Sequence, residues 1–506
     1  MKTVRLQAAR FEQVPPLLFV FMVLFAASAP FALSGFPLDD AWIHRVYARA
    51  FAFGHGFEYN PGQPEAGSTS PLWSILTAPA EWTGVFGTNA VVATVKLFGV
   101  LLGIQSVRFA QRIATRLLGS RSAGTIAAAF LALDPRLAFA SLSGMEGTLA
   151  LFLWLGAIAF LLNDRNPLAC LFAALAPTAR PECVVFLPFF AGAFVALRLA
   201  KEKRSLRDFL PLLLLPLPLL AWSLFCLKTN GHPLPTTFYA KQTPFAMDAR
   251  RFVQLVDVAG HWGIFSSLLA LLLPACILLL DVSKRRRATL LFAALLPLPA
   301  LAYLVGVVGG RDFRLAGYYW TRWAEVPGLL LSLAAGTGVA ALALRIRTSS
   351  TFGARMGFAA LLLALSPSAS HWLDAARQAR FHLGNDAANI HDINVRAGEW
   401  IAENTSPDDV VAVTDAGAIR YFGRRSCLDL CGLNFSDRAF DRRPVRETLD
   451  RSKWVATFPT WFPGEPNPEV LRPAASFGVP KSDYTITKNP ARANLVIYRN
   501  LRHPEK

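Results

Sequence analysis

The sequence predicts a mainly α-helical protein: a polytopic membrane bundle of about eleven transmembrane helices, followed by a small extracytoplasmic α/β domain. The 506 residues are 53% hydrophobic and 17% charged, with a mean hydropathy of +0.37. A soluble protein is normally about a quarter charged. Apolar runs alternate with short basic clusters as far as residue 370, and beyond it strand-like runs alternate with turn residues.

The membrane domain is predicted from apolar segments long enough to cross a bilayer at about 1.5 Å per residue. The first segment lacks a small-residue cleavage site, which favours a retained helix over a signal peptide. The fifth is short and lies between prolines, so a broken or re-entrant helix is an alternative there. The predicted segments are 15–34, 88–107, 122–140, 146–162, 167–178, 182–199, 209–227, 263–281, 288–308, 327–344 and 356–370.

The basic clusters set the predicted orientation, because positively charged loops stay in the cytoplasm. An odd number of helices places the N-terminus in the cytoplasm, for a protein of the bacterial inner (plasma) membrane, and the residues after 370 outside. The long loops 35–87, 228–262 and 309–326 then share the outer face, and they are rich in residues that bind sugars and phosphates. We therefore expect the chemistry on that face.

Two domains are predicted: residues 1–370 in the membrane, with the outer loop 35–87, and residues 371–506 outside it. In the second, 410–413 and 495–498 have the composition of buried strands and 395–403 that of a helix. About 130 residues are enough for one small α/β domain. A disulfide between Cys427 and Cys431 is an alternative to two free thiols, but on a strand it needs an intervening turn.

The net charge of +17 comes from 51 basic and 34 acidic residues. The basic residues gather in short runs between apolar segments, which indicates membrane orientation and attraction to anionic lipid or a lipid phosphate. We therefore predict the lipid bilayer as a partner and exclude nucleic acid.

Two adjacent carboxylates, Asp39 and Asp40, follow the first apolar segment. Acidic side chains at a membrane boundary cost free energy unless they hold a partner or take part in chemistry. The spacing from Ala41 to Phe53 predicts an amphipathic helix on the membrane surface. The two carboxylates are therefore either helix caps, catalytic groups, or one of each.

Groups of residues recur along the chain in the order of a known family. They are Asp39-Asp40-Ala41-Trp42-Ile43 with 54–62 and 68–73, Ser143-Gly144-Met145-Glu146, Ala179-Arg180-Pro181-Glu182, Pro233 to Lys241, Thr414 to Ile419 and Leu428 to Leu433. Together they resemble the GT-C glycosyltransferases, and most closely the bacterial group typified by the mycobacterial terminal arabinofuranosyltransferase. The later groups are similar to its SGxE, RPE, LPNTFYAK, DxGxI and DLxGL patterns. The resemblance spans nearly the whole chain.

Three departures from that group fall where a sugar could be contacted. Residues 65–69 replace its Glu-Gly-Tyr-Thr segment, Thr236 replaces an Asn, and 309–314 is an altered form of its GGD segment. The donor sugar, arabinofuranose or a hexose, therefore stays open.

The resemblance implies an inverting transfer from a polyprenyl-phosphate sugar to a hydroxyl of an envelope glycan. It also implies that Asp39 or Asp40 is the general base, a role that a carboxylate can fill. The leaving lipid phosphate needs cations rather than an acid. Candidate cations are Lys241, Arg311, Arg314, Arg322 and, near a helix end, Arg180.

Further residues are predicted to bind substrate, each beside a structural alternative. Glu146 could only favour a helix dipole, Arg180 and Glu182 could form an ion pair at a helix break, and Lys241 could be an ordinary interfacial lysine. The complete predicted set is His44, His55, Tyr59, Asn60, Glu146, Arg180, Glu182, Tyr239, Lys241, Arg311, Asp312 and Arg314.

No cofactor is required by this chemistry, and no cluster of His, Cys and Asp has strong metal-ligand spacing. The Asp39–Asp40 pair is an alternative site for Mg²⁺ or Mn²⁺, although adjacent residues rarely suffice alone. Two other function classes remain as alternatives: a transporter or lipid-linked sugar flippase, and a non-catalytic scaffold that binds glycan. The lack of an internal repeat argues against a transporter.

Overall fold

The computed structural model describes residues 12–202, 205–241, 245–260, 290–310, 321–348, 352–440, 445–459, 467 and 469–503. Within them, helices dominate up to residue 404 and a five-stranded sheet dominates afterwards. The α-helices of the first part are Val14–Ala27, Asp39–Ala52, Pro71–Thr77, Thr88–Leu118, Arg121–Ala132, Pro135–Leu142, Gly147–Leu162, Asn166–Ala179, Phe186–Leu199, Leu217–Asn230, Thr236–Ala240, Ala249–Gly260, Pro297–Gly310, Thr321–Thr348, Phe352–Ile390 and Arg396–Asn404.

The predicted membrane bundle is confirmed. Five described helices are long and apolar enough to cross a membrane, or six if one bent pair counts as a single span. Every predicted segment except 263–281 coincides with a described helix, and 263–281 lies outside the described residues. The count of eleven helices stays a prediction.

Two predicted segments differ in detail. The first helix ends at Ala27 rather than near residue 34, and residues 28–34 form turns. The third segment is broken at Asp134, where Arg121–Ala132 and Pro135–Leu142 meet at 59°. The break has a local cause: Pro135 starts the second helix and the Asp134 carboxylate accepts a hydrogen bond from the Arg136 amide, as an N-cap does.

The helix Phe352–Ile390, here called the long helix, passes through the boundary predicted between residues 370 and 371. It continues into a π-helical turn, His391–Val395, and then into the helix Arg396–Asn404. The prediction of a helix at 395–403 is therefore confirmed. The apolar composition stops near residue 370, but the helix does not.

The C-terminal part contains a five-stranded mixed sheet in the order β4-β3-β5-β7-β6. Strand β3 pairs in parallel with β4 and β5, whereas β7 pairs antiparallel with β5 and β6. Both predicted strands, 410–413 and 495–498, lie in it. The strands are β3 Val410–Val413, β4 Ser426–Asp429, β5 Trp454–Thr457, β6 Leu471–Gly478 and β7 Asn494–Asn500; a short hairpin, β1 Glu58–Asn60 and β2 Gln63–Pro64, lies in the outer loop.

Short helices cross between these strands. The helix Ala418–Gly423, here called the capped helix, connects β3 to β4, and Ser436–Phe440 and Val445–Asp450 lie between β4 and β5. Cys427, within β4, and Cys431, in the turn after it, are both free thiols.

The sheet domain is packed against the helix Asp39–Ala52, here called the loop helix. Trp42 is 2% exposed, and its ring centroid lies 5.0 Å from that of Tyr421 and 4.8 Å from that of Phe422. The Tyr421 hydroxyl donates to Glu81 at 2.8 Å, and Glu81 also pairs with the fully buried Arg45. Buried aromatic area and a satisfied ion pair together fix the two parts against each other.

Candidate active site

The loop helix begins at Asp39, and neither carboxylate caps it through a side-chain hydrogen bond. Asp39 caps a different helix. Its two oxygens accept hydrogen bonds from the amides of Gly417 and Ala418, both at 2.8 Å, at the start of the capped helix. The role is that of an N-cap supplied from 378 residues away in the chain.

Asp39 lies so close to residue 417 that only glycine fits there. A Cβ atom there would lie 2.1 Å from the Asp39 carbonyl oxygen and 2.7 Å from its Oδ2. Burial, and then the neighbouring Asp415 carboxylate, raise the pKa of Asp39 well above its ordinary value. Asp39 is thus a part-buried group committed to the backbone of the sheet domain.

Asp40 points to a different partner. Its Oδ2 lies 2.6 Å from Nη1 of Arg322, in the helix Thr321–Thr348. The Arg322 side chain is 4% exposed. The Arg322 guanidinium also lies over the ring of Trp323, 4.4 Å from its centroid. The Asp40 side chain keeps 22% of its surface exposed, so it can reach a molecule in the adjoining cavity.

That cavity, of 490 Å³, lies between the membrane bundle and the sheet domain. Its wall carries three carboxylates and four cations, a composition that can hold both an anion and a hydroxyl group. Those charged residues are Asp39, Asp40, Asp415, Lys241, Arg322, Arg438 and Arg492; the remaining lining comes from Ile43, Ala240, Trp323, Ile390, Ile393, Asn394, Thr414, Ala416, Leu430, Cys431, Leu433, Phe458, Tyr484, Ile486 and Thr487.

Lys241 reaches the cavity because three of the sequence motifs dock together. It follows the five-residue helix Thr236–Ala240. The Thr236 hydroxyl donates to Glu65 at 2.6 Å, and the Thr237 hydroxyl lies 2.6 Å from the Gly67 carbonyl oxygen and 2.9 Å from that of Leu433. The outer loop, the Pro233–Lys241 segment and the turn after β4 therefore form one unit.

That turn is itself built around Asp429, at the end of β4. Its carboxylate accepts hydrogen bonds from the amides of Cys431, Leu433 and Asn434. The Asn434 side chain in turn accepts a hydrogen bond from the buried Tyr47 hydroxyl at 2.9 Å. Asp429 thus has a structural role in the turn, as aspartates at turns commonly do.

Glu146, Arg180 and His44 form a separate buried network. Glu146 accepts from Arg180 at 3.0 Å, and its other oxygen lies 3.2 Å from Nε2 of His44. Arg180 also donates to the Tyr303 hydroxyl at 2.8 Å and lies 3.7 Å from Glu182. None of these side chains lines the cavity. The predicted ion pair of Arg180 and Glu182 at the helix break is present. It belongs to a larger network that also includes Glu146.

Glu325 lies beside this network and was not predicted from the sequence. It is 1% exposed, and within the described part of the chain neither of its oxygens has a hydrogen-bond partner. Its signal was available: an acidic residue inside an apolar helix is rare and normally functional.

Tyr59 and Asn60, predicted to bind substrate, lie outside the cavity wall and join the outer loop to the sheet domain. The Tyr59 hydroxyl donates to the Ala416 carbonyl oxygen at 2.7 Å. The Asn60 amide exchanges two hydrogen bonds with the backbone of Cys427, at 2.8 and 2.9 Å. Both side chains are buried.

The remaining predicted residues are scattered. His55 is exposed and lies 4.0 Å from Glu58. Tyr239 contacts the rings of His232 and Phe440 rather than the cavity. Three predicted substrate-binding residues lie outside the described part of the chain: Arg311, Asp312 and Arg314.

Several cavity residues were not predicted. They include Asn394, Tyr484 and Arg492, which come from segments without a recognisable motif and so could not be found from sequence patterns. Trp323 also lines the cavity. Among the described residues, no group of three His, Cys, Asp or Glu side chains is placed to hold a metal ion.

Comparison with solved structures identifies the architecture. ArnT from Cupriavidus metallidurans in the apo state superposes with a TM-score of 0.58 at 14% identity, covering 97% of this chain and 99% of that one. The chain has the GT-C fold. The structure of ArnT bound to undecaprenyl phosphate gives a TM-score of 0.57 at 13% identity over the same shares of both chains.

A second GT-C protein is also similar. The apo oligosaccharyltransferase from Archaeoglobus fulgidus has a TM-score of 0.53 at 12% identity, covering 88% of this chain and 69% of that one. A family model described as a domain of unknown function (DUF8728) matches residues 388–498, which include most of the sheet. No curated protein sequence matches it significantly. The resemblance to the arabinofuranosyltransferase group stays a prediction.

Proposed function

We propose that this GT-C protein is an integral membrane glycosyltransferase that moves a sugar from a polyprenyl-phosphate donor to a hydroxyl of an envelope glycan. One observation carries the proposal: a single cavity at the junction of bundle and sheet domain combines Asp40 with the cations Lys241 and Arg322. An apolar bundle beside such a cavity suits a donor with an isoprenoid tail. ArnT, which shares the fold, has been solved bound to undecaprenyl phosphate.

Asp40 is the better of the two predicted bases. Asp39 has both oxygens engaged by amides, so using it as a base would break the cap of the sheet domain. Asp40 is part-exposed at the cavity, and its contact with Arg322 holds it in place. In the proposed step, Asp40 takes the proton of the acceptor hydroxyl while that oxygen attacks the anomeric carbon, with inversion.

The bond that breaks joins the anomeric carbon to the lipid-phosphate oxygen. The leaving group departs as a phosphate anion, so cations rather than a proton donor stabilise it. Lys241 and Arg322 line the same cavity as Asp40, and Arg438 adds a third positive charge. Charge-assisted hydrogen bonds from such groups are about twice as strong as neutral ones.

The proposed setting is a bacterial inner membrane, with the N-terminus in the cytoplasm and the sheet domain outside, where envelope glycans are built. The basic clusters of the sequence support this orientation. Neither step of the proposed chemistry requires Mg²⁺ or Mn²⁺. Equal turnover with and without EDTA is the expected result, and restoration of lost turnover by either metal would assign a metal to the site.

The test is a transfer assay on purified protein in lipid nanodiscs, with a panel of polyprenyl-phosphate sugars and envelope glycan fragments. We expect turnover with one donor, abolished in Asp40→Asn and retained in Asp408→Asn, an exposed carboxylate of the sheet domain. Full activity of Asp40→Asn contradicts the assignment of the base.

The deletion strain provides the second measurement. An altered envelope glycan, restored by the wild type but not by Asp40→Asn, supports a transferase over a scaffold. A glycan that Asp40→Asn restores fully would favour the scaffold. A flippase would instead leave the transfer assay negative while the donor accumulates on the cytoplasmic side.

A further inference from the structure

The half of the cavity formed by the sheet domain has a distinctive position. Asp415 follows β3, Cys431 follows β4 and Phe458 follows β5, and all three residues line the cavity. These are the three parallel strands of the sheet, so the cavity lies at their carboxyl ends. In α/β sheets this is the edge where ligands bind, because the loops there converge on one crevice.

Asp415 is held ready at this edge. The Asn394 side-chain amide, from the π-helical turn, donates to its Oδ2 at 2.8 Å. The two residues after Ala416 are fixed by the Asp39 carboxylate, so the whole turn has little freedom. The described contacts use only one of the two Asp415 oxygens, which leaves Oδ1 to accept from a ligand in the cavity.

The loop that carries Tyr484 is equally fixed. Tyr484 and Arg492 also line the cavity, and the Tyr484 hydroxyl lies beside Thr487. Thr485 anchors this loop to the long helix: its amide donates to Asn389 at 3.1 Å, and its hydroxyl accepts from Asn385 at 2.8 Å. Preorganised polar groups of this kind lower the entropic cost of binding a small ligand.

The electrostatics favour an uncharged ligand here. Arg492 lies near enough to Asp415 to offset its charge, and the Arg438 guanidinium donates a hydrogen bond to the Leu430 carbonyl oxygen. On the bundle side, Arg322 and Asp40 pair with each other. A carboxylate oxygen, a tyrosine hydroxyl and the ring of Phe458 together match a sugar: hydroxyl groups for the polar atoms and C–H faces for the ring.

We infer that this half of the cavity is the acceptor subsite, which binds a neutral sugar unit of the acceptor glycan. Hydroxyl groups of that sugar donate hydrogen bonds to Asp415 and form hydrogen bonds with Tyr484. The inference rests on the proposed function and adds to it the residues and the chemical class of the acceptor. Asp415 is a binding residue, and Asp39 is a positioning residue that fixes the turn carrying it.

The test is binding of single-sugar propyl glycosides, glucoside, galactoside, mannoside and arabinofuranoside, to full-length protein in nanodiscs. Saturation-transfer NMR gives the affinity, and no donor is added. One or more glycosides should bind the wild type. The affinity should fall about tenfold or more in Asp415→Asn, which loses a charged acceptor, and about two- to tenfold in Tyr484→Phe.

The controls are Asp408→Asn and Ser482→Ala, exposed residues of the same domain and loop, and both should bind as the wild type does. Undecaprenyl phosphate should bind all variants equally. The inference is overturned if no glycoside binds the wild type, if both cavity variants bind glycoside normally, or if they lose undecaprenyl phosphate in parallel. Because the assay contains no donor, a failure of the proposed transfer reaction is seen separately.

Discussion

Replacing Gly417 with alanine tests the contact that joins the loop helix to the sheet domain. The Gly417 backbone has φ −93° and ψ −88°; alanine can adopt the φ angle, and the larger obstacle is the space for its Cβ. The added Cβ would lie 2.1 Å from the Asp39 carbonyl oxygen and 2.7 Å from its Oδ2. Both are atoms of Asp39, a part-buried residue that is hydrogen-bonded to the same turn, so neither can move away independently.

The magnitude follows from the two bonds that the added methyl group would break. Relieving the clash requires the two backbones to separate by about 1 Å, since carbon–oxygen contacts need about 3.3 Å or more. The hydrogen bonds from Gly417 and Ala418, now 2.8 Å, would then be lost. Bonds to a charged group contribute about 1.5–3 kcal/mol each, so the expected destabilisation is about 3–6 kcal/mol.

The assay is thermal unfolding in detergent, together with sugar transfer. Gly417→Ala should unfold at a clearly lower temperature and lose transfer. The matched control is Gly192→Ala, in the helix Phe186–Leu199, where an added Cβ meets nothing within 4 Å. That substitution should be neutral or stabilising by up to about 1 kcal/mol. An unfolding temperature for Gly417→Ala equal to that of the wild type would refute the steric reasoning.

Four further outcomes are expected. Glu146→Gln leaves the buried Arg180 guanidinium undercompensated and should cost about 3–5 kcal/mol, read as a lower unfolding temperature; an unchanged temperature would contradict this. Asn60→Ala removes two hydrogen bonds to β4 and should cost about 1–3 kcal/mol, which limited proteolysis of the sheet domain would detect. Burial raises the pKa of Asp415 above 3.8, so the folded chain holds this proton more tightly than the unfolded chain, and that stability is lost as the pH rises above about 4. Lowering the pH from 7 to 4 should therefore raise the unfolding temperature less in Asp415→Asn than in the wild type. An equal pH dependence in the two proteins would count against the burial of Asp415. Alkaline phosphatase fused after Lys506 should be active, whereas a fusion active only in the cytoplasm would reverse the proposed orientation.

Much of the fold could be predicted from the sequence because it is encoded locally. Apolar segments and basic clusters predict membrane helices one at a time, and runs such as 410–413 predict strands in the same way. The end of the long helix was not predicted, because local patterns do not mark it. Composition changes near residue 370, but a helix can continue with polar side chains when it leaves the membrane, so hydropathy marks the solvent boundary and not the helix end.

The site was predictable only in part, because its contacts are long-range. The sequence shows Asp39 and Asp40 as equivalent neighbours, yet one bonds to Gly417 and the other to Arg322. No local pattern separates a capping carboxylate from a cavity carboxylate, since the partner decides the role. Tyr59 lies in a segment that resembles the GT-C family, yet its hydroxyl bonds to Ala416 at the junction of the two domains. Such a structural contact restricts the residue type as strongly as substrate binding would.

The long helix connects the cavity wall to the membrane bundle. With 39 residues it is a rod of about 58 Å at about 1.5 Å per residue, and Ile390, at its far end, forms part of the cavity wall. A rotation of the rod by only about 5° about its other end would displace that wall by about 5 Å. A bilayer of different thickness that tilted the long helix would therefore change the space available to a substrate in the cavity.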